Sequence, residues 1–212
     1  VAIGWARHLA ADDPDAAEAM VDDYLARWGR GNAHYQHFYE VLNRSRAWIY
    51  RGEPERALAF LDARWAELRR AGHFRVRVTW TLSLMLRLEA LLTTAHLLPD
   101  RRDDLLARAS RDLRDLAKVE FLGAGAAADN LRGFWHWARG DVDAAATALR
   151  AGLPALDQLG WGIYAASTRL MLGRLVGGSE GAALIGDGER VLHAQGARNP
   201  MRLAQLHAPG PR

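Results

Sequence analysis

Apolar residues recur along this chain at three- and four-residue steps, and glycine, proline or an acidic residue breaks the pattern at intervals. That period belongs to helices with one buried face. It predicts helices near 2–10, 14–28, 33–51, 54–71, 74–97, 102–119, 124–139, 142–158, 162–176 and 180–195, with a short one near 200–206. Strand signals are almost absent: no long alternation appears, and no Asn-Gly or Asp-Gly pair lies between apolar runs. Asp187-Gly188 falls inside a weakly periodic segment, and the ending Ala208-Pro209-Gly210-Pro211 cannot continue a helix. The expectation is an all-α domain of ten to eleven helices over 1–207, followed by a tail over 208–212.

One helix-entry pattern occurs twice, as Arg51-Gly52-Glu53-Pro54-Glu55-Arg56-Ala57-Leu58 and as Arg139-Gly140-Asp141-Val142-Asp143-Ala144-Ala145-Ala146. Glycine ends one helix in a left-handed conformation, and the acid caps the next helix at its positive end. Alanine then lets the paired helices approach closely. Weaker copies run through Asp12-Asp13-Pro14-Asp15-Ala16-Ala17, Arg102-Asp103-Asp104-Leu105-Leu106-Ala107 and Gly178-Ser179-Glu180-Gly181-Ala182-Ala183. The five copies, marked at Asp12, Gly52, Arg102, Gly140 and Gly178, are spaced by 40, 50, 38 and 38 residues, and the long interval holds an amphipathic stretch over 74–98, read as two to three turns longer than its counterparts. Recurrence at this period means stacked helical hairpins.

Composition narrows the picture further. There are 28 basic and 25 acidic residues, and Lys118 is the only lysine. Because the acids are interleaved with the arginines, no uniformly basic surface is implied. The absence of cysteine excludes disulfides and thiolate metal sites. Arg87, Glu89 and His96 interrupt the most apolar run, which argues against a membrane span, and no signal segment opens the chain. A cytoplasmic location is expected. Because Val1 already reads as helix, the chain is expected to be a piece of a longer protein.

The glycine–acid–x–x–x–Ala pattern, with Trp48 or Trp137 before the glycine and Phe60 or Leu149 after the alanine, resembles the tetratricopeptide repeat. That resemblance implies a right-handed superhelical stack of antiparallel helix pairs, an α-solenoid whose first helices line a concave groove. Residues 169–181, with Gly196-Ala197-Arg198-Asn199-Pro200-Met201-Arg202, resemble the C-terminal end of large bacterial (myxobacterial-type) regulators. In that group a Ser/Thr protein kinase and an AAA-type ATPase precede a tetratricopeptide-like tail. No kinase catalytic loop or phosphate loop stands in these residues.

Projecting the groove onto this sequence selects Tyr39, Leu42, Arg46, Ile49 and Tyr50, then Asn130, Phe134 and Trp137, then Thr168 and Leu172. Of these, Tyr39, Arg46, Tyr50, Asn130, Phe134, Trp137 and Thr168 are the candidate partner-binding residues. Arg46 and Asn130 would hold a carboxylate or a peptide backbone.

Other patterns point to no chemistry. Gly123-Ala124-Gly125 lacks the preceding strand that a dinucleotide site needs. His34, His37 and Glu40 make a polar stripe on an aromatic-rich helix, and His136 sits between Trp135 and Trp137 as a groove residue. The cluster Arg69, Arg70, Arg75 and Arg77 reads as a solvated helix end. The eight tryptophans read chiefly as packing anchors. The expected function is therefore a non-catalytic protein-interaction or regulatory module, without cofactor or metal, whose partner is a protein, a peptide or an upstream domain. A nucleic-acid-binding repeat, a ligand-sensing domain of a transcriptional regulator and an all-α enzyme with an interhelical pocket remain as alternatives.

Overall fold

The computed structural model describes residues 4–27 and 35–210, and among these there is no strand. Its helices are α1 (Gly4–Ala10), α2 (Pro14–Ala26), α3 (Tyr35–Arg51), α4 (Pro54–Arg70), α5 (Arg77–Leu97), α6 (Arg102–Ala117), α7 (Ala124–Ala138), α8 (Val142–Gln158), α9 (Gly162–Val176), α10 (Gly178–Ala194) and α11 (Pro200–His207). Short 3-10 turns at His73–Arg75 and Pro99–Arg101 flank α5. The expected helix starts at 2 and 33, the expected end at 28, and His34 lie outside the described residues. No helix among these is long and apolar enough to cross a membrane.

The helix entries at Asp12, Gly52 and Gly140 form at the expected positions. Gly52 and Gly140 adopt φ of +88° and +84°, and Asp12 takes the same left-handed region at +58°. Asp13 and Asp141 cap the following helices, accepting the amides of Ala16 and Ala144 at 2.9 and 3.1 Å. Glu53 does not cap α4; its longer side chain instead binds Arg56 at 2.9 Å. Ala17, Ala57 and Ala145 are buried. Ala107 and Ala183 are exposed, which corrects the two weak copies. There the buried small residues are Ala109 and Gly181, because both helices present a face shifted from the one that the alignment implied.

Each helix packs on its neighbours in sequence, and the odd-numbered helices also touch one another: α1 on α3, α3 on α5, α5 on α7, and α9 on α11. α3, α5, α7 and α9 bury far more of their residues than α2, α4, α6, α8 and α10, so the chain forms an inner and an outer layer. α5 is the longest helix, at 21 residues against 15 to 17 in its neighbours. Its excess is a little over one turn, less than expected, because 3-10 turns take up both ends of the interval. Nor is it amphipathic: α3, α4, α6 and α7 surround it, and its buried face runs almost all the way round. Of its buried hydroxyls, those of Thr81, Ser83, Thr93 and Thr94 each donate to a carbonyl four residues back, and that of Thr79 donates to the His73 and Val76 carbonyls just before the helix.

α9 and α10 make the tightest helix pair. A methyl group built on Gly181 would lie 2.4 Å from the Gly173 carbonyl oxygen, and one on Gly188 would lie 2.7 Å from that of Ala166. Glycine at these positions brings two backbones to within contact distance. Helix α10 therefore runs unbroken through Asp187-Gly188.

Candidate functional site

The structure places the expected groove residues on the inner helices, but mostly beneath cover. Arg46, Tyr50, Asn130, Phe134 and Thr168 are buried, together with Leu42, Ile49 and Leu172; Tyr39 and Trp137 are half-buried. Asn130 and Thr168 satisfy each other across α7 and α9, the Thr168 hydroxyl donating to Asn130 Oδ1 at 2.9 Å. Tyr39 joins the rings of Tyr35 and Phe38, and Trp137 packs against His96 at 5.9 Å.

The cover is the C-terminal segment of the chain itself. α11 touches α1, α3, α9 and α10, and the Arg198 amide donates to the Ala10 carbonyl at 2.7 Å, joining the two ends of the chain. Arg202 donates to Asp12 at 2.9 Å and to the Tyr50 carbonyl at 3.2 Å, with its guanidinium 4.5 Å from the Tyr50 ring centre. The Tyr50 hydroxyl donates to the same Asp12 at 2.6 Å, and burial followed by this bond raises its pKa. Beyond α11, Ala208, Pro209 and Gly210 are buried, although they were expected to trail as a tail. Gly210 lies so close that an added methyl group would meet Met171 and Phe134 at 3.1 and 3.2 Å.

A polar cluster lies where α3, α5, α9 and α11 meet. Arg46 donates to the Tyr164 hydroxyl at 3.4 Å and stacks 4.8 Å from the Trp5 ring centre. His207 packs 4.5 Å from the Tyr164 ring and approaches Glu89, which is fully buried, at 3.4 Å. Burial pushes the Tyr164 hydroxyl up to about 12, with Glu89 adding to the shift and Arg46 opposing it. Tyr164 therefore keeps its proton at neutral pH.

Part of the inner face stays open beside this cluster. A cavity of about 600 Å³ is bordered by Trp5, Arg7, Arg46, Tyr164, Arg198 and His207. It adjoins a second cavity of about 470 Å³ bordered by Leu82, Met85, Phe121, Trp161 and Ile163; Ile163, Tyr164 and Gln195 line both. Arg46 is the expected residue that reaches this space. Trp5, Tyr164, Trp161 and His207 were not singled out in the sequence. The one local signal was the aromatic run Trp161-Gly162-Ile163-Tyr164 at a helix entry, which lacks the acid of the repeated pattern.

The remaining patterns take structural places. Gly123 precedes α7 at φ +87°, and no strand leads into it, so the dinucleotide fingerprint has no structural basis. Glu40 pairs with Arg44 and Arg64, at 3.3 and 3.6 Å. Among the described residues, no group of three or more His, Asp or Glu is placed to hold a metal ion. Arg69, Arg70, Arg75 and Arg77 are exposed, with Arg77 bound to Glu120 at 3.2 Å. Trp5, Trp48 and Trp65 are buried packing residues, while Trp28 lies outside the described residues. No known protein family, curated protein or solved structure matches the chain, so its activity has to be read from its own residues.

Proposed function

We propose that the chain is a right-handed superhelical stack of antiparallel helix pairs that serves as a non-catalytic interaction and regulatory module. The observation that carries this reading is the inner row formed by α3, α5, α7 and α9, which α11 covers only in part. Beside α5 and the start of α9, on α5 itself and on the α6–α7 connection, large apolar side chains stay in solvent. Phe121 and Val78 are 38% and 37% exposed, with Leu82 one turn beyond Val78. Apolar side chains held out together on α5 and on the connection beside it are suited to receive a protein segment. Resemblance over 169–181 and 196–202 supports a place in the C-terminal region of a bacterial Ser/Thr kinase–ATPase regulator, in the cytoplasm. In that setting the partner is a protein or an upstream domain of the same chain.

A photo-crosslinking amino acid at Phe121 tests this reading, with the same group at Val142, an exposed residue at the start of outer helix α8, as control. A discrete protein adduct from position 121, absent from position 142 and lost on Leu82→Glu substitution, is the expected result. Identical adducts from both positions, or none from 121, would remove the inner face as the interaction surface.

A further inference from the structure

The cavity beside Arg46 carries an imbalance of charge. Arg7, Arg46 and Arg198 line it beside His207, and among the described residues no acidic one does. Glu89, the nearest acid of the cluster, is directed to His207 and does not border the space. Several arginines of this chain pair with carboxylates, among them Arg44 with Asp22, Arg87 with Asp112, Arg108 with Asp62 and Arg150 with Glu180, while exposed ones such as Arg69 and Arg174 stay in solvent. Arg7, Arg46 and Arg198 have no such ion pair among the described residues. Arg46 is the exceptional one. It is only 4% exposed, and its buried Nε has no acceptor. A guanidinium held out of water without a counter-charge is strongly unfavourable, and an anion entering the cavity would supply one.

Tyr164 adds a second donor. It accepts from Arg46 and retains its own proton, which is free to be donated to an anion lying between the two. The same residue borders the adjoining cavity, whose other walls are Leu82, Met85, Phe121, Trp161 and Ile163. A basic end therefore continues into an apolar slot. Both cavities fall within the size range of small-molecule sites, about 300–1,000 Å³.

We propose that these two cavities form one site for a small organic acid, with its carboxylate on Arg46 and Tyr164 and its apolar chain along α5 and the start of α9. The site shares the inner face with the interaction surface but does not need a protein partner, so each can fail without the other. An acid bound there would fill the slot next to Phe121 and so act as an effector of that surface.

Calorimetric titration of the purified chain with octanoate tests the assignment, with octanamide, inorganic phosphate and the tripeptide Ala-Leu-Phe as comparisons. One octanoate should bind per chain. Loss of the charge in octanamide, or Arg46→Gln substitution, should each weaken binding about tenfold or more. Phe121→Asp should also weaken it, and phosphate should not compete. Arg198→Gln, at the edge of the cavity, provides a milder basic variant should Arg46→Gln lose its helical circular dichroism. The proposal is overturned if octanoate shows no saturable binding, or if octanamide binds equally well. It is also overturned if Arg198→Gln and Phe121→Asp both leave binding unchanged, if phosphate alone accounts for the affinity, or if the tripeptide binds at least as tightly.

Discussion

Gly181→Ala and Gly188→Ala, each adding one methyl group to α10, should destabilise the protein by about 3 kcal/mol, the upper end of the usual cost of overpacking. Helix propensity alone predicts the opposite sign, since alanine is favoured over glycine in a helix interior by about 1 kcal/mol. Packing wins because the added carbon would meet backbone rather than a side chain that can rotate away. At Gly181 the obstacle is the Gly173 carbonyl oxygen at 2.4 Å, and at Gly188 it is the Ala166 carbonyl oxygen at 2.7 Å. Gly186, on the same helix, has nothing within 4 Å of such a carbon. Gly186→Ala should therefore raise the urea midpoint while the other two lower it. A rise in all three would mean that α9 and α10 are not in backbone contact.

Asp112→Ala should cost about 3 kcal/mol, the lower end of the range for removing one partner of a buried pair. Arg87 holds Asp112 through two parallel bonds of 2.6 and 2.5 Å, and its guanidinium lies 3.6 Å from the Trp65 ring centre. Their side chains are only 15% and 6% exposed, so the orphaned guanidinium would be poorly rehydrated. Its residual exposure is why the lower figure applies. The Arg150–Glu180 pair is 46% and 56% exposed, and losing it should cost no more than about 1 kcal/mol. Joint replacement, as Arg87→Met with Asp112→Leu, should recover most of the loss. Urea denaturation of the four chains measures this directly. An Asp112→Ala cost matching that of Glu180→Ala would refute the buried pair.

Much of the fold was legible in the sequence because its rules are local. Left-handed glycines at 52 and 140, and acids at 13 and 141, specify helix ends within a few residues, and those ends formed as read. Two of the three weaker copies misled because an alanine at the aligned position says nothing about which helix face turns inward; Ala107 and Ala183 face solvent. Gly173, Gly181 and Gly188 read as weak helix formers. Their purpose emerges only when α9 lies against α10. α5 read as amphipathic because its threonines and serine look polar, yet their hydroxyls bind backbone carbonyls of the helix or of the turn before it and permit burial almost all the way round.

The candidate site was legible by helix and hidden by topology. Arg46, Tyr50, Asn130, Phe134 and Thr168 do lie on inner helices. Over Tyr50 and Phe134 the cover is chain far away in sequence, with Arg202 on the Tyr50 carbonyl and Gly210 against the Phe134 ring. No local pattern announces that a short terminal helix will seat across the inner row. The cluster around Tyr164 was missed for the same reason, since it takes one residue from each of several distant helices.

The central claim is that α11 and the residues after it belong to the folded inner face. Amide hydrogen exchange, resolved by residue, measures this most directly. The amide of Arg198, bonded to Ala10, and those of Leu203 and Ala208 should be protected to a degree comparable with the inner helices. Arg202→Ala, which removes the contacts to Asp12 and Tyr50, should speed exchange at these amides more than in α5. Exchange at 203–208 as fast as in an unstructured tail, in the unsubstituted protein, would contradict the account.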